Sequence, residues 1–324
     1  MISILEAAKR QTNRLVSGRK ACQIRASMDC ELSQKISCNA CYGSSVVFEA
    51  EGEPESPLIR KGRAVCLDCS QTMSIVESIL EGLPKSDPQL DFWETHYSNE
   101  DQSVIIAALE KGFQNRRLLY AHYPIIRMIR KLTVPLESSI ELGCGSGAFS
   151  LVLKKTGTVD KVTLLDYSRA SLEAARSLFS HFGESCNLVH ADIESAPFRR
   201  KTFDLSLSGG VIEHFRTEEE RLDCLNAHLD IANRAFLQAP VSSPCYWLSR
   251  SLFSAYNRGW PFGFEKPVTF RELCKLAKRA GAEILDHDHQ YFLSFPLFTR
   301  LHKLPKPGWY TWPFLNEIAI IASK

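Results

Sequence analysis

The feature that most constrains the fold is a glycine-rich loop between a short apolar run and a helical pattern. The loop reads Gly-Cys-Gly-Ser-Gly over residues 143–147, follows the run Ser139–Leu142 and precedes the pattern Ala148–Lys155. Glycines allow a tight turn and let a ligand approach the backbone closely. A helix that begins there presents free N–H groups and a partial positive charge, which suit a carboxylate or a phosphate. The segment therefore predicts a ligand-binding loop at the end of a strand.

Short apolar runs and helical patterns alternate after Pro135, and this alternation predicts a parallel sheet covered by helices on both faces. The strand candidates are Ser139–Leu142, Lys161–Asp166, Asn187–His190, Phe203–Ser208 and Ala235–Ala239. The helix candidates are Ala148–Lys155, Ala170–Phe182 and Glu218–Leu229. Two more apolar runs, Ala282–Asp288 and Phe314–Ala322, have no obvious helical pattern between them and predict an antiparallel hairpin at one edge. The expected architecture is an α/β fold with a doubly wound sheet of seven strands.

Polar or small residues stand at the ends of the next three strands. Asp166 ends the second strand and can accept from both hydroxyls of a ribose, whereas Asp192 follows the third and suits an exocyclic adenine amine. The fourth strand runs into the segment 206–214, whose small residues would let a flat group pass close to the backbone. Ligands of open α/β sheets bind beyond these strand ends. The spacing Gly-x-Gly-x-Gly, with Glu141 two positions before it, differs from the Gly-x-Gly-x-x-Gly of dinucleotide sites.

This ordered set resembles the class I methyltransferase family, which uses S-adenosyl-L-methionine. The motifs cover about residues 136–240, and the closing hairpin extends the resemblance to the C-terminus. The resemblance implies a Rossmann-like methyltransferase sheet. It also implies that Glu141, Gly143 and Gly145 border the methionine end of the cofactor, that Asp166 holds the ribose, and that Asp192 with Ile193 flanks the adenine. The full predicted cofactor-binding set is Glu141, Gly143, Cys144, Gly145, Gly147, Asp166, Tyr167, Asp192, Ile193, Ser208 and Gly209.

Each of these residues has a simpler structural interpretation when it is taken alone. Asp166 and Asp192 could cap helices, and Gly147 could be a turn residue. Cys144 is interpreted as a small filler inside the loop and not as a nucleophile. The matches at successive strand ends, taken together, favour the cofactor site.

The predicted catalytic residues are His214 and Glu213, which lie just past the fourth strand. Methyl transfer from a sulfonium is an in-line displacement, so the protein mainly aligns the acceptor and excludes water. Where the acceptor is a hydroxyl or an amine, His214 is the side chain best matched to act as base at neutral pH, with Glu213 orienting it. The alternative is that His214 caps the next helix or orients the loop. Some quinone-pathway O-methyltransferases bind a metal with a similar Glu-His pair, but Gly209 and Gly210 replace their further acid, so no metal is expected here.

An aromatic-rich insertion, residues 242–267, follows the fifth strand and should hang over the acceptor pocket. Aromatic linings suit planar or apolar small molecules. The predicted substrate contacts are Trp247, Tyr256, Trp260 and Phe264. The alternative is that these rings form the core of a helical cap. A second aromatic set lies between the last two strands and comprises Phe292, Phe295, Phe298, Trp309, Tyr310 and Trp312.

Two Cys-x-x-Cys pairs, separated by 24 residues, lie in the N-terminal part of the chain. The predicted metal ligands are Cys38, Cys41, Cys66 and Cys69. Four thiolates form a closed tetrahedral site, so we expect structural Zn²⁺ in a zinc-ribbon-like module with strands near Val46–Phe48 and Arg63–Val65. Free thiols are the alternative. Cys22 and Cys30 fit neither pair and are either buried thiols or part of a second site.

The expected organisation is a cysteine module over residues 1–85, a helical lead-in or cap over 86–135, and a methyltransferase domain over 136–324. The boundary is placed in the turn-rich segment 81–88. The start of the chain, Met1–Arg19, carries charges within its apolar pattern and predicts a short amphipathic helix, not a targeting segment. No run approaches the roughly 18 to 20 apolar residues that span a bilayer. A cytoplasmic protein is therefore expected.

Charge and composition bear on the acceptor. The net charge of +2 over 324 residues is lower than is usual for a protein that grips a nucleic-acid backbone. We therefore expect methyl transfer to the oxygen, nitrogen or carbon of a planar or lipophilic small molecule. The alternatives are an RNA-modifying enzyme guided by the zinc module, as in some ribosomal-RNA methyltransferases, and a binding protein without catalysis.

Overall fold

The computed structural model describes residues 30–51, 59, 61–82, 89–115, 124–129, 131–132, 136–256, 259–260, 262–291 and 315–324. The chain divides into two compact units, one ending at Glu81 and one beginning at Gly82. The predicted boundary at residue 85 lies four positions later. The predicted N-terminal helix, Cys22 and the second aromatic set fall outside the described residues.

The first unit contains one short helix and a four-stranded antiparallel sheet. Helix α1 (Cys30–Lys35) precedes the strands β1 (Val46–Ala50), β2 (Lys61–Cys66), β3 (Thr72–Val76) and β4 (Ile79–Glu81), which pair in sequential order. Buried and exposed residues alternate along β2 and β3, because successive side chains of a strand point to opposite faces. The apolar side therefore forms a small core that includes Ala64, Met73 and Ile75.

The second unit is built on a seven-stranded sheet whose strands are mostly parallel. The strands are β5 (Leu136–Leu142), β6 (Val159–Asp166), β7 (Asn187–His190), β8 (Phe203–Gly209), β9 (Ala232–Pro240), β10 (Glu283–Tyr291) and β11 (Leu315–Ser323). Their order across the sheet is β7-β6-β5-β8-β9-β11-β10, and β11 runs antiparallel to both β9 and β10. The predicted α/β fold, with a seven-stranded doubly wound sheet and a closing antiparallel hairpin, is confirmed.

The order of the strands places the ligand-binding edge. The chain leaves β5 toward β6 and β7, then returns to β8 on the other side of β5. Right-handed crossovers put α5 (Ala148–Lys155) and α6 (Arg169–His181) on one face and α7 (Glu218–Ile231) on the other. The carboxyl ends of β5 and β8 therefore flank the topological switch point, where ligands of this sheet type bind.

Capped helices cover both faces of the sheet with buried apolar side chains. Helix α7 begins at a Thr217–Glu220 capping box, and α9 (Phe270–Arg279) begins at a second one, Thr269–Glu272. Both helices bury leucines against β9 and β11, in a core with Leu229, Leu237 and Leu276. On the other face, α5 and α6 pack on each other and on β6.

The predicted helical lead-in consists of α2 (Leu90–Asn99), α3 (Gln102–Gln114) and α4 (Pro124–Ile129). Helices α2 and α3 pack on α6, while α4 packs on the β10–β11 hairpin. The 242–267 insertion contains a helix, α8 (Pro244–Tyr256). None of the helices in the described part of the chain is long and apolar enough to span a bilayer.

Candidate active site

The glycine loop follows β5 and adopts a conformation that requires glycine at three alternate positions. The φ angles are +66° at Gly143, +51° at Gly145 and +72° at Gly147, a region that side chains with a Cβ adopt only with strain. Gly143 and Gly145 line a cleft at the carboxyl edge of the sheet. Gly147 has a different role, because a Cβ there would lie 2.9 Å from the side chain of Leu164. Gly147 is thus required for close packing of α5 on the sheet.

Asp166, at the end of β6, is the buried carboxylate of the cleft. One oxygen accepts the N–H of Gly145 at 2.9 Å and the other accepts the N–H of Ser168 at 2.8 Å. Burial raises the pKa of Asp166 to about 6, although these two N–H donors oppose the shift. A carboxylate oxygen has more than one lone pair, so both oxygens can still accept from a ligand. Asp166 therefore fixes the glycine loop and lines the cleft at the same time.

The ends of β7 and β8 complete the cleft floor. Tyr167, Asp192 and Ile193 line it, as do Gly210 and Val211. Asp192 also accepts the N–H of Glu194 at 2.8 Å and caps a short 3-10 helix. The same residue therefore caps a helix and lines the cleft. After β8, the cleft is lined by Gly210 and Val211, whereas the predicted residues were Ser208 and Gly209.

Helix α2 covers the cleft with a face that the sequence did not reveal as part of the site. Gln89, Trp93 and Tyr97 line the cleft and follow one another at four-residue spacing. The hydroxyl of Tyr97 lies so close to Gly145 that a Cβ at that glycine would overlap it. The spacing was visible in the sequence, but nothing local indicated what this helix face covers.

His214 lines the cleft from a 3-10 turn after β8. Its Nδ1 lies 2.6 Å from the carbonyl oxygen of Phe264. A carbonyl oxygen only accepts, so Nδ1 carries the proton and Nε2 is the unprotonated nitrogen of the neutral ring. Burial lowers the pKa of His214, although the Phe264 carbonyl and the Glu265 carboxylate oppose this. The geometry therefore presents a neutral imidazole at the cleft near pH 7.

Glu213 does not line the cleft with its neighbour. It is buried, and burial raises the pKa of its carboxyl well above the ordinary value, with repulsion from Glu265 and Glu317 adding to the shift. Its Oε2 atom has no hydrogen-bond partner among the residues that the structure describes. The Phe264 carbonyl orients His214, and among the residues that the structure describes no hydrogen bond joins the Glu213 carboxyl to that ring.

Four more predicted cofactor residues lie behind the cleft surface. Glu141 accepts the N–H of Ser150 at 3.1 Å, near the start of α5, and burial raises its pKa to about 8. The thiol of Cys144 is buried, and burial raises its pKa well above the ordinary value, as expected for a filler. Ser208 is buried, and a Cβ at Gly209 would lie 2.8 Å from the Phe149 ring. With Gly147, these residues support the cleft from behind.

The aromatic insertion forms its own cluster beside the cleft. Glu265 accepts from the Tyr246 hydroxyl at 2.5 Å and from the Trp260 indole at 2.9 Å. The Arg250 guanidinium lies 4.7 Å from the centre of the Trp260 ring and donates to the Glu265 carbonyl at 2.9 Å. This arrangement agrees with the helical-cap interpretation of the aromatic residues.

The four predicted substrate contacts are not among the residues that line the described cleft. Trp247 and Tyr256 are exposed on α8, and Trp260 belongs to the Glu265 cluster. Phe264 reaches the site through its backbone carbonyl, while its ring stacks under the Arg216 guanidinium at 4.3 Å. Their contact with an acceptor stays a prediction.

The four predicted cysteine ligands converge in the first unit. Their sulfur atoms all lie within 4.8 Å of one another, with 3.5 Å between Cys38 and Cys69 and 3.6 Å between Cys41 and Cys66. Sulfurs around a tetrahedral zinc with Zn–S bonds near 2.3 Å are separated by about 3.8 Å. The cysteine cluster is therefore compatible with one Zn²⁺.

The two cysteine pairs share one turn geometry. The N–H of Tyr42 donates to the Cys38 carbonyl at 2.8 Å, and the N–H of Ser70 donates to the Cys66 carbonyl at 2.9 Å. Tyr42 and Ser70 both have positive φ, at 57° and 64°. Because both turns have this geometry, each directs its two sulfur atoms toward the centre of the cysteine cluster. Cys30 begins α1, and its role as a buried thiol or part of a second site stays a prediction.

Comparison with known proteins identifies the domain. Residues 140–229 match the family model described as a methyltransferase domain, and this segment contains all four strand ends that line the cleft. Residues 140–229 thus form a methyltransferase domain. The fold is also that of the geranyl diphosphate C-methyltransferase of Streptomyces coelicolor A3(2), with a TM-score of 0.53, 13% identity and coverage of 75% of this chain and 99% of that one.

Curated relatives of this methyltransferase domain differ in the acceptors that their names state. The rice 2-methyl-6-phytyl-1,4-hydroquinone methyltransferase 1, chloroplastic, is 33% identical over 111 residues, which are 34% of this chain and 33% of that protein. The tRNA (carboxymethyluridine(34)-5-O)-methyltransferase of Saccharomyces cerevisiae is 31% identical over 152 residues, which are 46% of this chain and 48% of that protein. The chain thus spans a third to a half of the length of these relatives.

Proposed function

We propose that this protein transfers the methyl group of S-adenosyl-L-methionine to a small molecule held beside His214. The observation that carries the proposal is the cleft at the switch point, where three positive-φ glycines and two strand-end carboxylates meet. Glycines have no side chain of their own between the backbone and the cleft, which suits the amino-acid end of the cofactor, and carboxylates suit its hydroxyls and amine.

The residues of the cleft divide the cofactor between them. Asp166 would accept from the ribose hydroxyls, since its oxygens retain lone pairs after bonding the backbone. Asp192 and Ile193 would hold the adenine, and Gly143 and Gly145 the methionine end. Glu141 would act indirectly, by holding the start of α5 behind the loop. The bound cofactor supplies an activated methyl group, so the protein needs to align the acceptor and exclude water.

His214 would take the proton from the acceptor. Its Nδ1–H is engaged by the Phe264 carbonyl, so its Nε2 is the nitrogen able to accept a proton from a hydroxyl or an amine. The lowered pKa keeps the ring neutral, and thus able to act as a base, at neutral pH. Glu213, buried behind the turn, would support the turn and take no part in proton transfer.

A small acceptor is favoured by the setting of His214. The ring faces a cleft bordered by Trp93, Tyr97 and Phe215, and aromatic walls suit planar or apolar groups. The similarity to a hydroquinone methyltransferase supports a phenolic acceptor. The insertion residues Trp247, Tyr256, Trp260 and Phe264 would contact the acceptor only where it extends beyond the cleft.

Cofactor binding is the first test. Calorimetry should show binding of S-adenosyl-L-methionine and of S-adenosyl-L-homocysteine, and Asp166→Ala should weaken it more than tenfold. Asp223→Ala, which removes an exposed carboxylate from α7, is the matched control and should leave affinity unchanged. If the parent protein binds neither compound, the proposal is overturned, and the alternative of a binding protein without catalysis remains.

Transfer of a tritiated methyl group then distinguishes the acceptors. Substituted hydroquinones and phenols should be labelled, with His214→Ala slowing the reaction by about 10² to 10⁴ while cofactor affinity changes little. Because one relative is named as a tRNA methyltransferase, total tRNA is tested as the competing acceptor. Labelling of tRNA, with affinity that falls steeply as salt increases, would contradict the small-molecule acceptor.

We also propose that the cysteine cluster holds one structural Zn²⁺. Metal analysis of purified protein should find about one zinc per chain, and the double variant Cys38→Ser with Cys66→Ser should lose it together with the fold of the first unit. Cys245→Ser, which changes a half-buried thiol on α8, should retain the metal. Parent protein without zinc would support the free-thiol alternative.

A further inference from the structure

The Glu94 carboxylate joins helix α2 to the start of α6, on the cofactor side of the site. Glu94 accepts the backbone N–H of Arg169 at 2.6 Å through one oxygen and that of Ala170 at 3.1 Å through the other. These are the first two residues of α6. The first N–H groups of a helix lack internal partners and carry its partial positive charge, so a carboxylate there satisfies both requirements.

The anchored element is the one that follows the ribose-side carboxylate. Asp166 ends β6, and its Oδ1 accepts the N–H of Ser168, the residue that caps α6. Glu94 and Asp166 are close enough that the negative charge of Glu94 contributes to raising the pKa of Asp166. Glu94 therefore binds α2 to the same short segment that presents Asp166 to the cleft.

The residues on either side of Glu94 face the reacting part of the cleft. Trp93 places its ring edge-on to His214, with 5.1 Å between ring centres and an 83° angle between planes. Tyr97 lies over Gly145. Trp93 thus covers the predicted base, while Tyr97 covers the loop predicted to hold the methionine end.

We propose that Glu94 is a positioning residue for methyl transfer, which latches α2 over the cleft so that Trp93 and Tyr97 close the site around His214 and the cofactor. The proposal rests on the proposed function only for the identity of the cofactor. The latch itself consists of the Glu94–α6 contact and its effect on the surroundings of His214.

The latch has a consequence that can be measured without knowing the acceptor. Burial is the main reason why the pKa of His214 is low, and Trp93 is part of that cover. If α2 is released, water reaches the ring, the imidazolium is better solvated, and the pKa rises toward its ordinary value of 6.5. The other groups around the ring are the Phe264 and Gly210 carbonyls and the Glu265 carboxylate, none of which is on α2.

The test follows the C2–H resonance of His214 by NMR across pH, in protein without cofactor, with His214→Gln providing the assignment. Glu94→Ala should raise the pKa of His214, and Glu94→Gln should give a smaller rise, because the amide oxygen can still accept one N–H. The C2–H signal of His181, which is exposed and lies 3.1 Å from Glu110, serves as the reference resonance in every variant.

The matched control is Glu173→Gln. Glu173 is another carboxylate near the start of α6, but its ion pairs, with Arg176 at 3.1 Å and with Arg169 at 3.7 Å, stay within α6. The same variants are then compared for S-adenosyl-L-homocysteine, which Glu94→Ala should bind about tenfold more weakly, with Glu173→Gln equal to the parent protein.

The outcomes separate the latch from the proposed function. An unchanged His214 pKa in both Glu94 variants would overturn the latch. A pKa shift equal to that of Glu173→Gln would do the same, since it would then reflect charge alone. If Glu94→Ala does not fold, the Glu94→Gln titration decides. Failure of the parent protein to bind S-adenosyl-L-homocysteine would count against the proposed function, while the titration of His214 would still test the latch.

Discussion

The two sides of His214 are held together in different ways. On the cofactor side, the contacts are made mainly by backbone: the Gly145 and Ser168 N–H groups on Asp166, and the α6 N–H groups on Glu94. In the insertion, side chains contact one another, with Tyr246 and Trp260 meeting at Glu265. A backbone network depends on φ angles and strand ends and allows few substitutions. A side-chain cluster can change its residues while the sheet stays the same.

The largest expected effect is at the glycine loop. Gly145→Ala would need a Cβ at a φ of +51° and at the place where the Tyr97 hydroxyl lies, so the loop and α2 cannot both keep their positions. We expect affinity for S-adenosyl-L-homocysteine, measured by calorimetry, to fall by about 100-fold or more, which corresponds to about 2.7 kcal/mol.

The control for that variant is Gly157→Ala. Gly157 also has a positive φ, +65°, but no atom of the described residues lies within 4 Å of the place that an added methyl group would occupy. The substitution should cost about 1 kcal/mol of stability through backbone strain and leave cofactor affinity unchanged. Equal losses of affinity in the two variants would show that strain, and not the Tyr97 contact, is responsible.

The insertion should respond to Glu265→Ala without involving the cofactor. The variant leaves the Tyr246 hydroxyl and the Trp260 indole without their acceptor, and the expected cost is about 1 to 3 kcal/mol in urea unfolding. Trypsin should cleave faster after Arg250, which is followed by Ser251. Affinity for S-adenosyl-L-homocysteine should stay within about twofold of the parent value, and a larger loss would mean that the two sides are not independent.

The smallest effect concerns the pH dependence of stability on the cofactor side. The pKa of Glu141 is raised to about 8, so near pH 7 the folded chain keeps a proton that the unfolded chain has lost. Stability therefore falls as pH rises through this range, with about 1.4 kcal/mol per pH unit for one proton. Glu141→Gln should reduce the slope by that amount in urea unfolding between about pH 6.5 and 7.5. An unaltered slope would show that Glu141 ionises normally.

Features that depend on local sequence were predictable. The positions of the strands and the residues Gly143, Gly145, Asp166 and Asp192 follow from contiguous motifs, because the end of each strand fixes where its motif lies in the sheet. The cysteine cluster was predictable for the same reason.

Features that depend on which way a residue points were harder to predict. Glu213 and His214 are adjacent, yet only His214 lines the cleft. Ser208 and Gly209 end a strand, and the cleft lining begins with the next residue, Gly210. The alternation of β3, Thr72–Val76, could have been found from its period of two.

Contacts between distant segments could not be predicted from one sequence. Glu94 meets α6 across 75 residues of chain, and no local pattern indicates that partner. The same holds for Trp93 and His214, which are brought together only by the packing of α2.

The ends of the insertion have a consequence for how such a protein can change its substrate. Val241 and Val268 pair directly, with the Ser242 N–H donating to the Val268 carbonyl at 3.0 Å and the Val268 N–H donating to the Pro240 carbonyl at 2.9 Å. Everything between them leaves and rejoins the sheet edge at one point. A segment with adjoining ends can be lengthened, shortened or replaced as a cassette, which makes residues 242–267 the natural place to graft a different acceptor preference onto an unchanged methyl-donor scaffold.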